Sequence, residues 1–282
     1  MPITEDFLPI QAIENIDPSF LTHANYIDFM CDESKNISLT ITNKLNNEIR
    51  KENSLLVKRV RLSILTMENL SAEISVINKN IDYAVVCSSW VPVKSYYIFY
   101  NLGTVLQYLI KCDDSVLTST THRGLMRWLK TIIENNELQF SNDVFNKVYR
   151  IPEINEWKFR SGNNLATVNH QDRDKQLIKK LQEYSRDEFK RSNKKKSLRG
   201  SLKDQFERQT KISLCDFFYW YRIKVNYRDL EFLDSSADEL QFYLFYQHYY
   251  KCTYNFYMAF VKEINRLSQI RLSRNLYQIE RR

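Results

Sequence analysis

Lys94 and Asn101 stand seven positions apart, so on a helix they share one face, two turns from each other. A lysine there can hold phosphate as a point charge, but an asparagine has no proton to exchange near neutral pH. Arginine and histidine at the same spacing would suit cleavage of an RNA backbone. Guanidinium grips phosphate through paired hydrogen bonds, and imidazole gains or loses a proton near neutrality. No histidine supplies that arrangement: none of His23, His122, His170 and His248 follows an arginine by five to seven positions. If a site is assembled from elsewhere, Arg222, Arg228 and His248 are its best substitutes. The two arginines flank Asn226 and Tyr227, and Asp229 can pair with either. A buried polar network joining helices is the plainer reading of that stretch. His122 and Arg123 sit where a helix begins, and the positive helix end favours the neutral imidazole. A structural role at that junction is expected, with a contribution to an RNA or partner surface as the alternative.

A second kind of chemistry comes from charge. Residues 173–211 carry fourteen Lys and Arg against six Asp and Glu, a net +8, while the whole chain carries +7. All other residues therefore sum to −1, and the positive character is local. Arg186, Lys190, Arg191, Lys194, Lys195, Lys196, Arg199 and Lys203 form the densest part. They read as a phosphate-binding patch for RNA, on a polar, flexible stretch that orders on contact. The plainer reading is a solvated charged loop.

The elements that must position these residues are helical. Four glycines and five prolines in 282 residues disfavour a turn-rich β fold. Asp17-Pro18 is a helix-start pair, with Phe20, Leu21, Tyr26, Ile27 and Phe29 on an apolar face. From about 36 to 80 the pattern is helical throughout, as one long helix or two stacked ones, with Ile49, Leu56, Val60, Ile64, Met67, Ile74 and Ile77 at helical spacing. Pro92 suits the first turn of the next helix, which is apolar nearly all round and hence central to a bundle. Ser119 to Thr121 can cap a helix reaching Glu134. Residues 135–170 read as loops with short pieces of structure. Helices follow over 212–232 and 236–270, the latter capped by Ser236 with Glu239 three positions on. This organisation is an N-terminal segment, 1–34, then a helical domain, 35–282, with an insertion at about 137–211.

Five scattered cysteines without a C-x-x-C pair read as reduced thiols in the cytoplasm. Histidines lack ligand spacing to any cysteine, so no metal site is expected. There is no glycine-rich phosphate loop, nucleophile elbow or catalytic carboxylate pair, so no cofactor is expected either. No apolar run reaches membrane-spanning length, and the acidic start is no signal peptide.

Ser95-Tyr96-Tyr97 with Phe99-Tyr100, then Thr121-His122-Arg123-Gly124-Leu125 about 25 residues later, resemble the helical HEPN family. Residues 222–233 are the second family-like element. The resemblance covers roughly 150 residues in two blocks. It implies an all-α bundle of long helices, dimers, and association with RNA processing, toxin–antitoxin pairs or antiviral defence. The family's catalytic signature is an arginine, four to six residues, then a histidine, acting across a dimer interface on the RNA backbone. Lys94 and Asn101 stand where that signature falls. The reading is therefore a noncatalytic HEPN-like subunit of a bacterial defence-type system that binds RNA, a protein partner or a second copy. Two alternatives stand beside it: a metal-independent RNase toxin with relocated catalytic residues, and a helical adaptor that binds no RNA.

Overall fold

The computed structural model of this chain describes residues 18–42, 53–159, 172–227 and 237–277, with side chains left aside for 18, 19 and 224–227. The fold is all-α, as expected. Helices α1 (Pro18–Glu33), α2 (Ser54–Ile77), α3 (Tyr83–Lys111), α4 (Ser115–Ser119) and α5 (His122–Glu134) come first. They are followed by α6 (Ile151–Glu156), α7 (Arg173–Ser192), α8 (Ser201–Gln209), α9 (Phe217–Tyr227) and α10 (Glu239–Leu272). Two short antiparallel pairs tie the periphery: β1 (Leu39–Ile41) with β2 (Leu138–Phe140), and β3 (Tyr149–Arg150) with β4 (Lys211–Ile212).

Helix α3 is the axis. It packs most extensively against α10, then α2 and α9, and α5 closes over its C-terminal half. Its positions from Asn101 to Leu109 are all buried, so partners surround it. Aromatic rings fill the junction with α9 and α10. Phe99 stacks on Phe218 at 5.3 Å between ring centroids and meets Phe260 edge-on at 5.3 Å. Such pairs each add about 0.5–1.5 kcal/mol beyond area burial.

Several boundaries differ from expectation, each for a physical reason. Helix α3 starts nine residues before Pro92, which therefore lies inside it. Proline there removes one backbone hydrogen bond at a cost of about 3 kcal/mol. Burial of Ala84, Cys87, Ser88 and Val91 on the preceding turns offsets that loss. Residues 39–41, expected within a helical stretch, form a strand, because alternation puts Leu39 and Ile41 inward and Thr40 outward; Ile49 of that stretch lies outside the described residues. Buried Glu263 on α10 anchors it by accepting the Ile41 N–H at 2.7 Å. Helix α2 begins at Ser54, capped by the Asn53 side chain. Its inner face holds Leu56, Val60, Met67 and Ile77 as anticipated, with Ile64 and Ile74 half-buried. Helix α10 is capped by Asp238 with Gln241 in a reciprocal box, two residues beyond the expected Ser236, which lies outside the described residues.

The stretch expected to be a flexible basic loop also takes a defined shape. Helix α7 runs to Ser192, and Lys194 adopts a left-handed conformation (φ 53°) that ends it. Helix α8 then starts after Gly200 (φ 50°). Phe189 and Phe206, 5.3 Å apart, hold the two helices together.

Gly103 marks the closest approach of α3 to α5: a Cβ there would lie 3.0 Å from Leu125 Cδ2. Gly103→Val is expected to lower stability by about 1–3 kcal/mol through overpacking. In urea denaturation, part of that loss should return when Leu125→Ala is added. An unchanged midpoint in the single variant would show that the two helices are not closely apposed at this point.

Candidate functional site

Lys94 and Asn101 do share a face, and that face is turned against α2. Lys94 pairs with Glu73, and the other Glu73 oxygen accepts the Tyr246 hydroxyl at 2.8 Å. Asn101 is 3% exposed. Its amide nitrogen donates to the Tyr97 carbonyl at 2.9 Å, and its oxygen accepts Arg59 Nη1 at 3.0 Å. Both residues are thus engaged in joining α2 to α3. His248 is buried on α10, with Nδ1 2.5 Å from Asp28 on α1. Arg228 lies outside the described residues.

Arg222 and His122 are brought together, although 100 positions separate them. Thr121 caps α5 by accepting the Gly124 N–H at 3.0 Å, which sets His122 on the first turn as expected. There the imidazole meets three tyrosines of α3. Tyr96 Oη lies 2.6 Å from His122 Nδ1, and the Tyr100 ring centroid is 4.4 Å away. Tyr97 approaches edge-on at 6.1 Å. The Arg222 guanidinium lies 4.9 Å from the Tyr96 ring centroid and 5.6 Å from that of Tyr97. On the far side Arg59 sits 5.3 Å from the Tyr100 ring and donates twice to the Leu117 carbonyl, at 2.8 and 3.3 Å.

This environment sets protonation. Burial lowers the His122 pKa below the usual imidazole value, and the positive charges of Arg222 and Arg59 lower it further. Burial raises the Tyr96 hydroxyl, even with Arg222 acting in the opposite sense. Near neutral pH the phenol is protonated and the imidazole neutral, and Tyr96 Oη and His122 Nδ1 share one hydrogen bond that either can donate according to the imidazole tautomer.

A cleft of about 480 Å³ adjoins this cluster, between α5, α7 and residues 209–220. Tyr219 connects the two, its ring 5.7 Å from Tyr96 and its hydroxyl reached by Arg123. Arg123 also pairs with Glu188, and Lys130 pairs with buried Asp216 at 2.7 Å. Arg127, on the same wall, has no ion-pair partner among the described residues.

Helix α7 forms one wall of the cleft and leads to the basic turn. Arg186, Arg191, Lys194, Lys195, Lys196, Arg199 and Lys203 are exposed and Lys190 half-buried. Lys190 pairs with Asp187 and Lys203 with Glu207. Among the described residues, Arg191, Lys194, Lys195, Lys196 and Arg199 pair with no carboxylate.

No three His, Cys, Asp or Glu side chains gather to hold a metal among the described residues, and no helix there is long and apolar enough to cross a membrane. Sequence spacing missed Arg59 and Tyr219, and it read His122 first as a junction residue. Their meeting depends on contacts between distant helices, for which a linear motif carries no signal.

The unfolded chain protonates His122 near pH 6.5, whereas the folded protein resists that proton to lower pH. Stability from this group is thus fully present above the unfolded value and falls as pH drops toward the folded one. Replacing His122 by Gln should flatten this part of the profile. Wild type is expected to lose more stability than His122→Gln between about pH 7 and 5.5 in urea unfolding. Parallel profiles would refute the depressed pKa.

No protein-family model, curated protein or solved structure matches the chain.

Proposed function

We propose that this protein is a noncatalytic HEPN-like subunit that binds RNA through the α7–α8 turn, in a system of the bacterial toxin–antitoxin or antiviral-defence kind. The observation that carries this reading is the turn itself. Five cations within residues 191–199 are exposed and form no ion pair among the described residues, on two helices and a turn held by Phe189 and Phe206. Such a group releases counterions from a phosphate backbone and needs no base-specific contact. The noncatalytic half rests on Lys94 and Asn101, which are bound to Glu73 and Arg59. Neither is poised to withdraw a proton from a ribose hydroxyl.

Lys194→Glu/Lys195→Glu/Lys196→Glu should weaken binding of a single-stranded RNA at least about tenfold at ~0.1 M salt. It should also make the log–log salt slope shallower by roughly 2, since each neutralised phosphate contributes about 0.7. Unchanged affinity and slope would remove the turn from the interface. The wild type should leave the RNA intact. Metal-independent cleavage that disappears in Lys94→Ala or Asn101→Ala would overturn the noncatalytic reading.

A protein-binding role is supported by a separate surface. Tyr83, Val86, Trp90 and Tyr97 on α3 are each at least 40% exposed, at spacings that align them along one side of the helix. If this stripe mediates self-association, wild type should sediment as a dimer at micromolar concentration, and Trp90→Glu as a monomer with unchanged helicity. Identical sedimentation of the two proteins would exclude the stripe from such an interface.

A further inference from the structure

The cleft between α5, α7 and residues 209–220 takes no part in RNA binding at the turn or in the α3 stripe. One of its walls, α7 with Gln209, Thr210 and Lys211, lies in the insertion, outside both family-like blocks, so the resemblance implies nothing about it. Its volume of about 480 Å³ is in the range of ligand pockets. A single turn of helix, about 10 Å across and about 5.4 Å long, would occupy nearly all of it. An extended chain, by contrast, can lay a few side chains into it.

The lining is of two kinds. Buried Met126, Ile212 and Trp220 supply apolar surface, with half-buried Phe189 beside them. Charge on the walls is balanced everywhere but at one point. Arg123 pairs with Glu188, Lys130 with Asp216 and Lys211 with Glu134. Arg127 is exposed and forms no ion pair among the described residues. This pattern discriminates among occupants. A nucleic-acid backbone brings a phosphate at every nucleotide and would set several beside Glu188 and Asp216 while meeting one free cation. A peptide can bring one carboxylate and be apolar next to it. Guanidinium receives a carboxylate through two parallel hydrogen bonds, which fixes its orientation.

We propose that the cleft docks an extended acidic segment of a partner protein. One carboxylate of that segment pairs with Arg127, and a large apolar side chain of the same segment packs against Met126, Phe189 and Trp220. Arg127 supplies orientation, and the apolar lining supplies most of the affinity. No bond is made or broken. The site is separate from the α3 stripe and the α7–α8 turn, and each can exist without the others.

A random peptide library displayed on phage, selected against the full-length protein, supplies the probe. Selected peptides should share an Asp or Glu beside a large aliphatic or aromatic residue, and their synthetic forms should bind saturably in fluorescence anisotropy. Arg127→Glu changes an exposed side chain and should keep its helicity by circular dichroism, while its affinity for the peptide falls at least about tenfold. Lysine in place of the peptide's acidic residue should cost wild type a similar factor and restore binding to Arg127→Glu. Alanine in place of the peptide's large apolar residue should also weaken binding at least about tenfold. The charge-reversed α7–α8 variant should bind the peptide within about threefold of wild type. Three results overturn the proposal: no saturable peptide, peptides that bind Arg127→Glu as they bind wild type, or a loss in the α7–α8 variant equal to that in Arg127→Glu. Displacement of the peptide by a single-stranded RNA whose own affinity falls in Arg127→Glu assigns the cleft to RNA and overturns it as well.

Discussion

Desolvation of α3 is the constraint on which the other arrangements depend. A 29-residue helix with neighbours on nearly every side satisfies its own backbone, but each polar side chain it carries must find a partner inside the protein. The pairings follow from that requirement. Ser88 donates to the Phe242 carbonyl, Ser95 accepts the Thr253 hydroxyl, and Thr104 donates to the Tyr100 carbonyl, each within 2.8 Å. Lys94 and Asn101 reach across to α2 for the same reason. Tyr96 finds no backbone acceptor and is completed by His122 from α5. Polarity on α3 thus specifies which helices lie beside it and in what register.

Two populations of cations result, and their physics differs. Those on the α7–α8 turn keep their hydration and their mobility of side chain, so any grip on a polyanion there is electrostatic, additive and sensitive to salt. Arg222 and Arg59 are withdrawn against aromatic faces, where screening by salt is weak and the direction of each donor is fixed. The first arrangement suits a long backbone of any sequence. Between them, the cleft walls hold Arg123 and Lys130 in ion pairs with Glu188 and Asp216. Those pairs hold α5 against α7 and the segment that leads into α9.

Much of the architecture was legible in residue patterns. Apolar spacing of 3.6 identified α2, and the breaker-free aromatic run identified α10, because each helix buries a continuous stripe. Thr121 was readable as a cap because its hydroxyl needs only a local N–H. The strand at Leu39–Ile41 escaped notice, since three residues carry too little periodicity and the strand exists through a partner about 100 positions away. Pro92 misled because its local preference for a helix start yields to burial on both sides of it. Of the candidate site, the tyrosines and Arg222 were visible as chemistry, but their meeting with His122 and Arg59 was not. Cation–aromatic contacts between helices leave no spacing rule in the sequence.

Placing arginine at 94 and histidine at 101 would not by itself recreate a cleaving pair in this fold. Position 94 faces Glu73, so a guanidinium there would settle into the same ion pair and stay with α2. Position 101 is enclosed, and an imidazole there would stand beside Arg59 in place of an amide that accepts from it. A histidine so placed would remain neutral, and with Arg59 donating to one nitrogen it would have little access to a substrate hydroxyl. The chemistry of these two positions therefore depends on how α2 lies over α3 as much as on which residues occupy them. Because α2 covers that face, positive charge gathers along its edge, where Arg59 reaches from Asn101 to the Tyr100 ring and Arg222 lies over Tyr96 and Tyr97.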